Sequence, residues 1–249
     1  IAFEVQRGES GTLWTVNVDD SDAAHLFSCS APCVRPESPA WSPDGNRIAF
    51  TSIEDTDGIE GPPDETAIQI LDLTTMTVSE VVRTKFPTLM SVPRWSPDGA
   101  MLVVSVETVD EATGNDLGSV IAIVDSNGGD LQELTDPHLF GYYPDWNCAG
   151  DAIVFDSQAL QWAQDPPIDP DTWNLYSIAP DGTGLEQITD AEPGTKVWQP
   201  SWTPDCERIV ATMDDPNGRM AVFVDPESGA VSVIHGRLAT HVRVQPAEN

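Results

Sequence analysis

Apolar positions along this chain come in short Val, Ile, Leu and aromatic runs, each closed by Gly, Pro, Asp or Asn. That pattern predicts β-strands joined by tight turns. No stretch spaces its apolar residues for an amphipathic helix, and none is long enough for a transmembrane helix. The pattern also repeats. Pro39-Ala-Trp41-Ser-Pro-Asp-Gly-Asn-Arg-Ile-Ala-Phe50 returns as Pro93-Arg-Trp95-Ser-Pro-Asp-Gly-Ala-Met-Leu-Val-Val104. It returns again at Pro144-Asp-Trp146 through Phe155 and at Pro200-Ser-Trp202-Thr-Pro-Asp through Ala211, with Trp-to-Trp spacings of 54, 51 and 56 residues.

Each unit reads as strand, Ser-Pro-Asp-Gly turn, strand, variable loop, third strand, short turn and fourth strand. The third strands are expected over 13–18, 68–71, 120–124, 174–178 and 221–224, followed by Gly-containing hairpins such as Ser126-Asn-Gly-Gly129. Four strands in a repeat of about 50 residues match one propeller blade. Ile1-Ala-Phe3 repeats the Ile-Ala-Phe that ends the Trp41 motif, and Val244-Gln-Pro246-Ala-Glu248 repeats Pro39-Ala-Trp41. The prediction is an all-β, five-bladed β-propeller of four-stranded antiparallel blades, forming one domain over residues 1–249. The first strand of blade 1 would come from about residues 241–248, closing the ring by strand exchange between the termini and hiding sheet edges.

Trp-Ser-Pro-Asp-Gly followed by Ile-Ala-Phe, with Leu134-Thr135 or Ile188-Thr189 closing blades, resembles the TolB-like, WD40-like (PD40) repeat family over nearly the whole chain. Propellers of that family usually have six or more blades, and this chain counts five. The resemblance implies a secreted or periplasmic propeller used as a protein-binding platform. The repeat residues themselves read as scaffold: Asp44, Asp98 and Asp205 as turn formers, and Trp41, Trp95, Trp146 and Trp202 as packing between blades.

Charge narrows the partners. There are 41 Asp and Glu against 11 Lys and Arg, a net charge of −30, which repels nucleic acid and anionic membrane surfaces. Four cysteines show no Cys-x-x-Cys pattern. Cys29 and Cys33 suit a small disulfide loop across Ala31-Pro32, and Cys148 and Cys206 fall in corresponding turns of adjacent blades; four free thiols are the alternative. Disulfides would point to a periplasmic or extracellular setting. The chain starts at Ile1 without Met or an apolar leader, so removal of any signal peptide, anchor or neighbouring domain is expected.

The loops after the second strands, taken as residues 53–66, 106–118 and 156–173, carry 14 carboxylates and no Lys or Arg. Three readings compete: solvation or salt adaptation, oxygen ligands for Ca²⁺, and steering of a basic partner. The metal reading rests on Asp55, Asp57 and Glu60, whose spacing suits a small oxygen-ligand loop but lacks an EF-hand frame. No cofactor other than Ca²⁺ is suggested.

Aromatics mark a sector of the same face. Phe140, Tyr142 and Tyr143 enter the blade of Trp146, Trp162 and Trp173 lie in its long loop, and Trp198 enters the next blade. They could anchor a peptide or stack on sugars, or simply seal the loop onto the blade. Glu37, Ser91, Tyr142, Trp198 and Val244 share one register without shared chemistry, and His138 and His241 lie in entry loops. No nucleophile elbow, phosphate loop or dinucleotide fingerprint is present. The expected function is a monomeric, non-catalytic module binding a basic protein or peptide, or a carbohydrate, through Glu37, Phe140, Tyr142, Tyr143, Trp162, Trp198 and His241. The alternative is a metal-assisted polysaccharide lyase or hydrolase using the same face.

Overall fold

The computed structural model describes residues 1–7, 10–17, 19, 21–55, 62–158 and 171–237. Its strands form five antiparallel sheets in chain order. The first holds β1 (Ala2–Arg7), β2 (Ser10–Thr15) and β3 (Ala24–Ser28), and the second β4 (Cys33–Trp41), β5 (Arg47–Glu54), β6 (Glu65–Asp72) and β7 (Thr77–Lys85). The third holds β8 (Thr88–Trp95), β9 (Met101–Val109), β10 (Asp116–Asp125) and the short β11 (Gln132–Glu133). The fourth holds β12 (Tyr142–Trp146), β13 (Ile153–Ser157), β14 (Asn174–Ile178) and β15 (Glu186–Gln187). The fifth holds β16 (Lys196–Trp202), β17 (Ile209–Asp215), β18 (Gly218–Val224) and β19 (Val231–Arg237). The predicted fold class is what is found, an all-β, five-bladed propeller with one three-residue 3-10 turn, Pro137–Leu139. The first strand expected for blade 1, at about residues 241–248, lies outside the described residues. By internal contacts the chain divides into two compact units, Ile1–Leu117 with Val124–Gln132, and Gly118–Ile123 with the chain from Glu133 onward.

The Ser-Pro-Asp-Gly turns show why that tetrapeptide recurs. Ser42 Oγ donates to Asp44 Oδ1, which also accepts the Asn46 N–H at 3.1 Å, while Ser42 N–H bonds the Arg47 carbonyl. Ser96 with Asp98 and Thr203 with Asp205 repeat this arrangement. Gly45, Gly99 and Gly150 occupy the turn's left-handed position at φ +71°, +70° and +74°; Cys206, at +62°, takes that place in the fifth blade. Both cysteine pairs are joined, Cys29 to Cys33 with Cα atoms 5.2 Å apart and Cys148 to Cys206 with Cα atoms 5.9 Å apart. The second bond ties the first turns of blades four and five.

A second device recurs without being visible in the composition. Ser38, Val92, Tyr143 and Gln199 all have φ between +50° and +57°, and the first strands of blades two to five shift register there. Each precedes the repeat's Pro, a position that ordinarily favours extended backbone. Paired segments on both sides of the bulge impose the conformation, at a cost of order 1 kcal/mol each. The bulge turns its N–H toward the preceding blade: Ser38 N–H donates to Glu4 Oε2 at 3.2 Å, and Gln199 N–H to Asp156 Oδ2 at 2.6 Å.

In the first unit, Leu13, Phe50 and Leu71 form a buried cluster flanked by Leu26, Phe27 and Leu73. Gly11 is required there, because a Cβ would stand 2.6 Å from the Cβ of Arg35. Trp95 lies against the neighbouring blade, its indole N–H donating to the Ala40 carbonyl at 3.1 Å and the Arg47 guanidinium 4.5 Å above its ring. In the second unit, Val154, Leu175, Val197, Ile209, Ala211, Val222 and Val224 form a core joining blades four and five, with Trp202 packed against it. Trp95 and Trp202 therefore pack between blades, as their repeat position predicts.

One end of the second blade is held by charge. The Arg83 guanidinium binds both carboxylate oxygens of Glu54, Glu65 Oε2 at 2.7 Å and Glu80 Oε2 at 2.6 Å, and Lys85 holds the other Glu65 oxygen at 2.9 Å. The Glu54 side chain is only 3% exposed.

Arg83→Met strands that buried carboxylate and is expected to lower unfolding free energy by about 2–3 kcal/mol in chemical denaturation, with Arg83→Met/Glu54→Met recovering most of the loss. A loss indistinguishable from zero would show that the network adds no stability. The turn aspartates act at the acid end. The Ser42, Ser96 and Thr203 hydroxyls, then the local backbone N–H groups, hold Asp44, Asp98 and Asp205 below their ordinary value of 3.8. Their stabilisation is present above that value and lost as pH falls through the lowered folded-state values. Replacing all three with Ala should flatten the fall in melting temperature below about pH 4; an unchanged acid limb would contradict this.

Candidate functional site

Among the described residues, the second unit gathers the aromatic side chains picked out in the sequence. Tyr142 opens β12, where the register places it opposite Asp156 of β13. Cross-strand partners share a face, so phenol and carboxyl stand on the same side of the sheet. Trp173 lies against Tyr142 with ring centroids 5.8 Å apart and planes tilted by 35°. Its backbone pairs with β16, accepting from Val197 N–H at 3.0 Å and donating to Thr195 at 3.1 Å, so this segment of the long connection is tied to the next blade. Tyr143, the bulge residue, meets Trp198 edge-to-face at 6.3 Å. The Arg219 guanidinium lies 5.1 Å from the Trp198 ring and binds Asp214 through two bonds of 2.7 and 2.8 Å. All four rings are half-buried, each leaving some surface to solvent.

Asp156 lies beneath this group. It is 0% exposed; Oδ2 takes the Gln199 N–H, and Oδ1 has no hydrogen-bond partner among the described residues. Burial raises its pKa well above the usual carboxylate range, and the Gln199 N–H opposes this only in part. The neighbouring Ser157 Oγ donates to the Leu139 carbonyl and fixes the 3-10 turn ahead of the aromatic segment.

The expected site residues divide as follows. Tyr142, Tyr143 and Trp198 come together in two aromatic pairs with Trp173. Phe140 is half-buried at the end of the 3-10 turn, its N–H on the Pro137 carbonyl at 3.2 Å. Glu37 belongs to the other unit, where it pairs with Arg35. Trp162 and His241 lie outside the described residues. Asp55 ends the β5 hairpin with its N–H on Pro32 at 3.1 Å, while Asp57 and Glu60, the rest of the metal reading, lie outside the described residues. No group of three His, Cys, Asp or Glu among the described residues is arranged to hold a metal ion. His138 Nδ1 is 2.9 Å from Asp136, and both are exposed.

The acidic loops need correction. Glu54, Glu65, Glu107, Asp116 and Asp156 are strand residues, because the ladders run further than the apolar pattern indicated. Glu54 and Asp156 are buried and are not part of an acidic surface. Asp156 could have been recognised by aligning the repeats. Thr51, Ser105 and Thr212 occupy its position after Phe50, Val104 and Ala211; Glu4, after Phe3, is the one other acid there, and it is exposed where Asp156 is buried.

Exposed carboxylates with few cations should make the fold salt-dependent. The thermal midpoint is expected to rise with NaCl and by no more with CaCl₂ at matched ionic strength; a Ca²⁺-specific rise of several degrees would instead place a bound cation in the protein.

The TolB beta propeller domain (PD40) family model matches residues 1–234. The Tol-Pal system protein TolB of Nitrosomonas europaea is 43% identical over 54 residues, which is 22% of this chain and 12% of that protein. Among solved structures, TolB from Acinetobacter baumannii is similar at a TM-score of 0.68 and 19% identity, covering 93% of this chain and 51% of its own. An oligogalacturonate lyase in complex with manganese is similar at a TM-score of 0.61 and 14% identity, covering 90% and 58%. The acylaminoacyl peptidase of Pyrococcus horikoshii is similar at a TM-score of 0.64 and 16% identity, covering 94% and 36%. The chain thus spans about half the length of the solved TolB and a small part of the curated one, and at these identities the structural likeness is one of fold.

Proposed function

The chain belongs to the TolB beta propeller domain family, and on that premise we propose that it is a non-catalytic binding module whose partner is a basic protein or peptide. The observation that carries this reading is the meeting of Tyr142 with Trp173 and of Tyr143 with Trp198, half-buried rings on neighbouring blades of one unit. Aromatic side chains of this kind supply large contact area at low entropic cost, and they dominate interface energetics. A net charge of −30 would draw a cationic partner and quicken encounter at low salt. Two disulfides support a secreted or periplasmic setting, because such bonds persist in oxidising compartments. Glu37, Phe140, Trp162 and His241 are proposed as further contact residues in addition to these aromatics.

Peptides selected from a displayed random library on the wild-type protein should carry net positive charge. They should bind Tyr142→Ala/Trp198→Ala at least about tenfold more weakly, given the cost of truncating interface aromatics. Selected peptides indifferent to both substitutions would remove this face from the reading. Cleavage of polysaccharide dependent on a divalent cation, blocked by chelation, would replace binding with the enzymatic alternative.

A further inference from the structure

Among the described residues, the seam between the fourth and fifth blades contains one fully buried acid that neither the turns nor the ion pairs use. Asp156 sits where other repeats carry Thr51, Ser105 and Thr212 and the first carries the exposed Glu4, and it alone of these acids is fully buried; it reaches across the seam to the bulge of the next blade through a 2.6 Å bond from Gln199 N–H. It is flanked by both aromatic pairs: Tyr142 stands opposite it in the ladder, and Trp198 immediately precedes Gln199. We infer that Asp156 is a proton-dependent latch on this seam, whose acid form holds the Gln199 bulge and the two aromatic pairs closed and whose anion releases them. This rests on the binding reading above as far as the aromatic pairs are the contact surface.

Charge and burial give the latch its direction. As an acid, Asp156 occupies the seam as a neutral group with Oδ2 on the Gln199 N–H. As an anion it would be fully buried with that single bond, a state strongly disfavoured unless a cation or water reaches it. Among the described residues no cation is positioned to do so. Among the described residues, the charged groups on the elements packed around it are Asp145 of β12, Lys196 of β16, and Asp214 and Arg219 of blade five. Asp145 accepts from Ser201 Oγ and Trp202 N–H, Lys196 faces Asp171 at 3.3 Å, and Arg219 is bound to Asp214. On β14, the Tyr176 phenol is itself pushed up to about 12 by burial and then by Asp190. None of these offsets a negative charge on Asp156; opening the seam to water does.

Since the folded-state pKa is raised, the stability contributed by Asp156 is complete below the ordinary carboxylate value and is lost as pH rises through the folded-state value. Asp156→Asn keeps an acceptor for Gln199 N–H and cannot ionise. Its melting temperature minus that of the wild type is expected to grow with pH, reaching at least about 3 °C by pH 9. In the wild type, the Asp156 carboxyl ¹³C resonance should titrate far above its ordinary range, and the Gln199 amide and Trp198 indole N–H should shift with the same midpoint. Wild-type affinity for the selected basic peptides should change across that midpoint, while that of Asp156→Asn should not. A carboxyl titrating near 3.8, or a melting difference flat with pH, overturns the latch. Should Asp156→Asn fail to fold, the wild-type carboxyl titration decides alone. The melting and resonance readouts need no partner, so their failure leaves the binding reading standing, and loss of that reading leaves them intact.

Discussion

A four-stranded blade whose middle strands are apolar on both faces cannot stand alone in water. In β5, β9, β10 and β13 a run of five or more consecutive residues is buried, so both faces are covered. Period-2 alternation would bury only one face; burial of both demands a neighbour on each side. The stacking of blades is therefore the condition under which the individual sheets exist at all, and the recurrent polar residues act at the points where one blade meets the next.

Two backbone devices answer that demand. In blades two, three and five the Ser-Pro-Asp-Gly turn or its Thr-Pro-Asp-Cys variant closes the first hairpin with its own hydroxyl and carboxylate, leaving the adjacent apolar residues free to pack. At Ser38 and Gln199 the left-handed bulge before the repeat Pro re-aims a backbone N–H into the preceding blade, where Glu4 and Asp156 receive it. The bulge carries strain because pre-proline residues favour extended backbone, and four copies at one register mark it as architecture. Tyr143 shows how architecture serves a site. Its conformation is the scaffold's, and its aromatic ring is what this blade displays from that fixed position.

The same logic separates the two roles of acid in this protein. Turn aspartates lie at the surface with several donors each, and their environment favours the charged form. Glu54 is buried, with Arg83 beside it. Asp156 has burial and one donor, so its neutral form is favoured. Forty-one carboxylates in one chain are therefore not one property. A few build turns or bind Arg83, Glu4 and Asp145 accept bonds across seams, and Asp156 lies fully buried in one.

The sequence by itself determined the blades, their number and their boundaries, because strand periodicity and turn chemistry are local and the Trp-Ser-Pro-Asp-Gly motif repeats them. It also indicated the cysteine partners, since Cys148 and Cys206 occupy corresponding turns. It overestimated the acidic loops, because polar residues at strand ends pair in ladders without altering the apolar pattern. Only the tertiary structure decided which residues lie across a seam. That Asp156 meets Gln199, 43 positions away, follows from a bulge geometry that no residue type announces. That Trp173 lies against Tyr142 while pairing with β16 depends on how a long connection returns to the next blade. Contacts between blades depend on distances in space, and chain order specifies those only after the sheets have stacked.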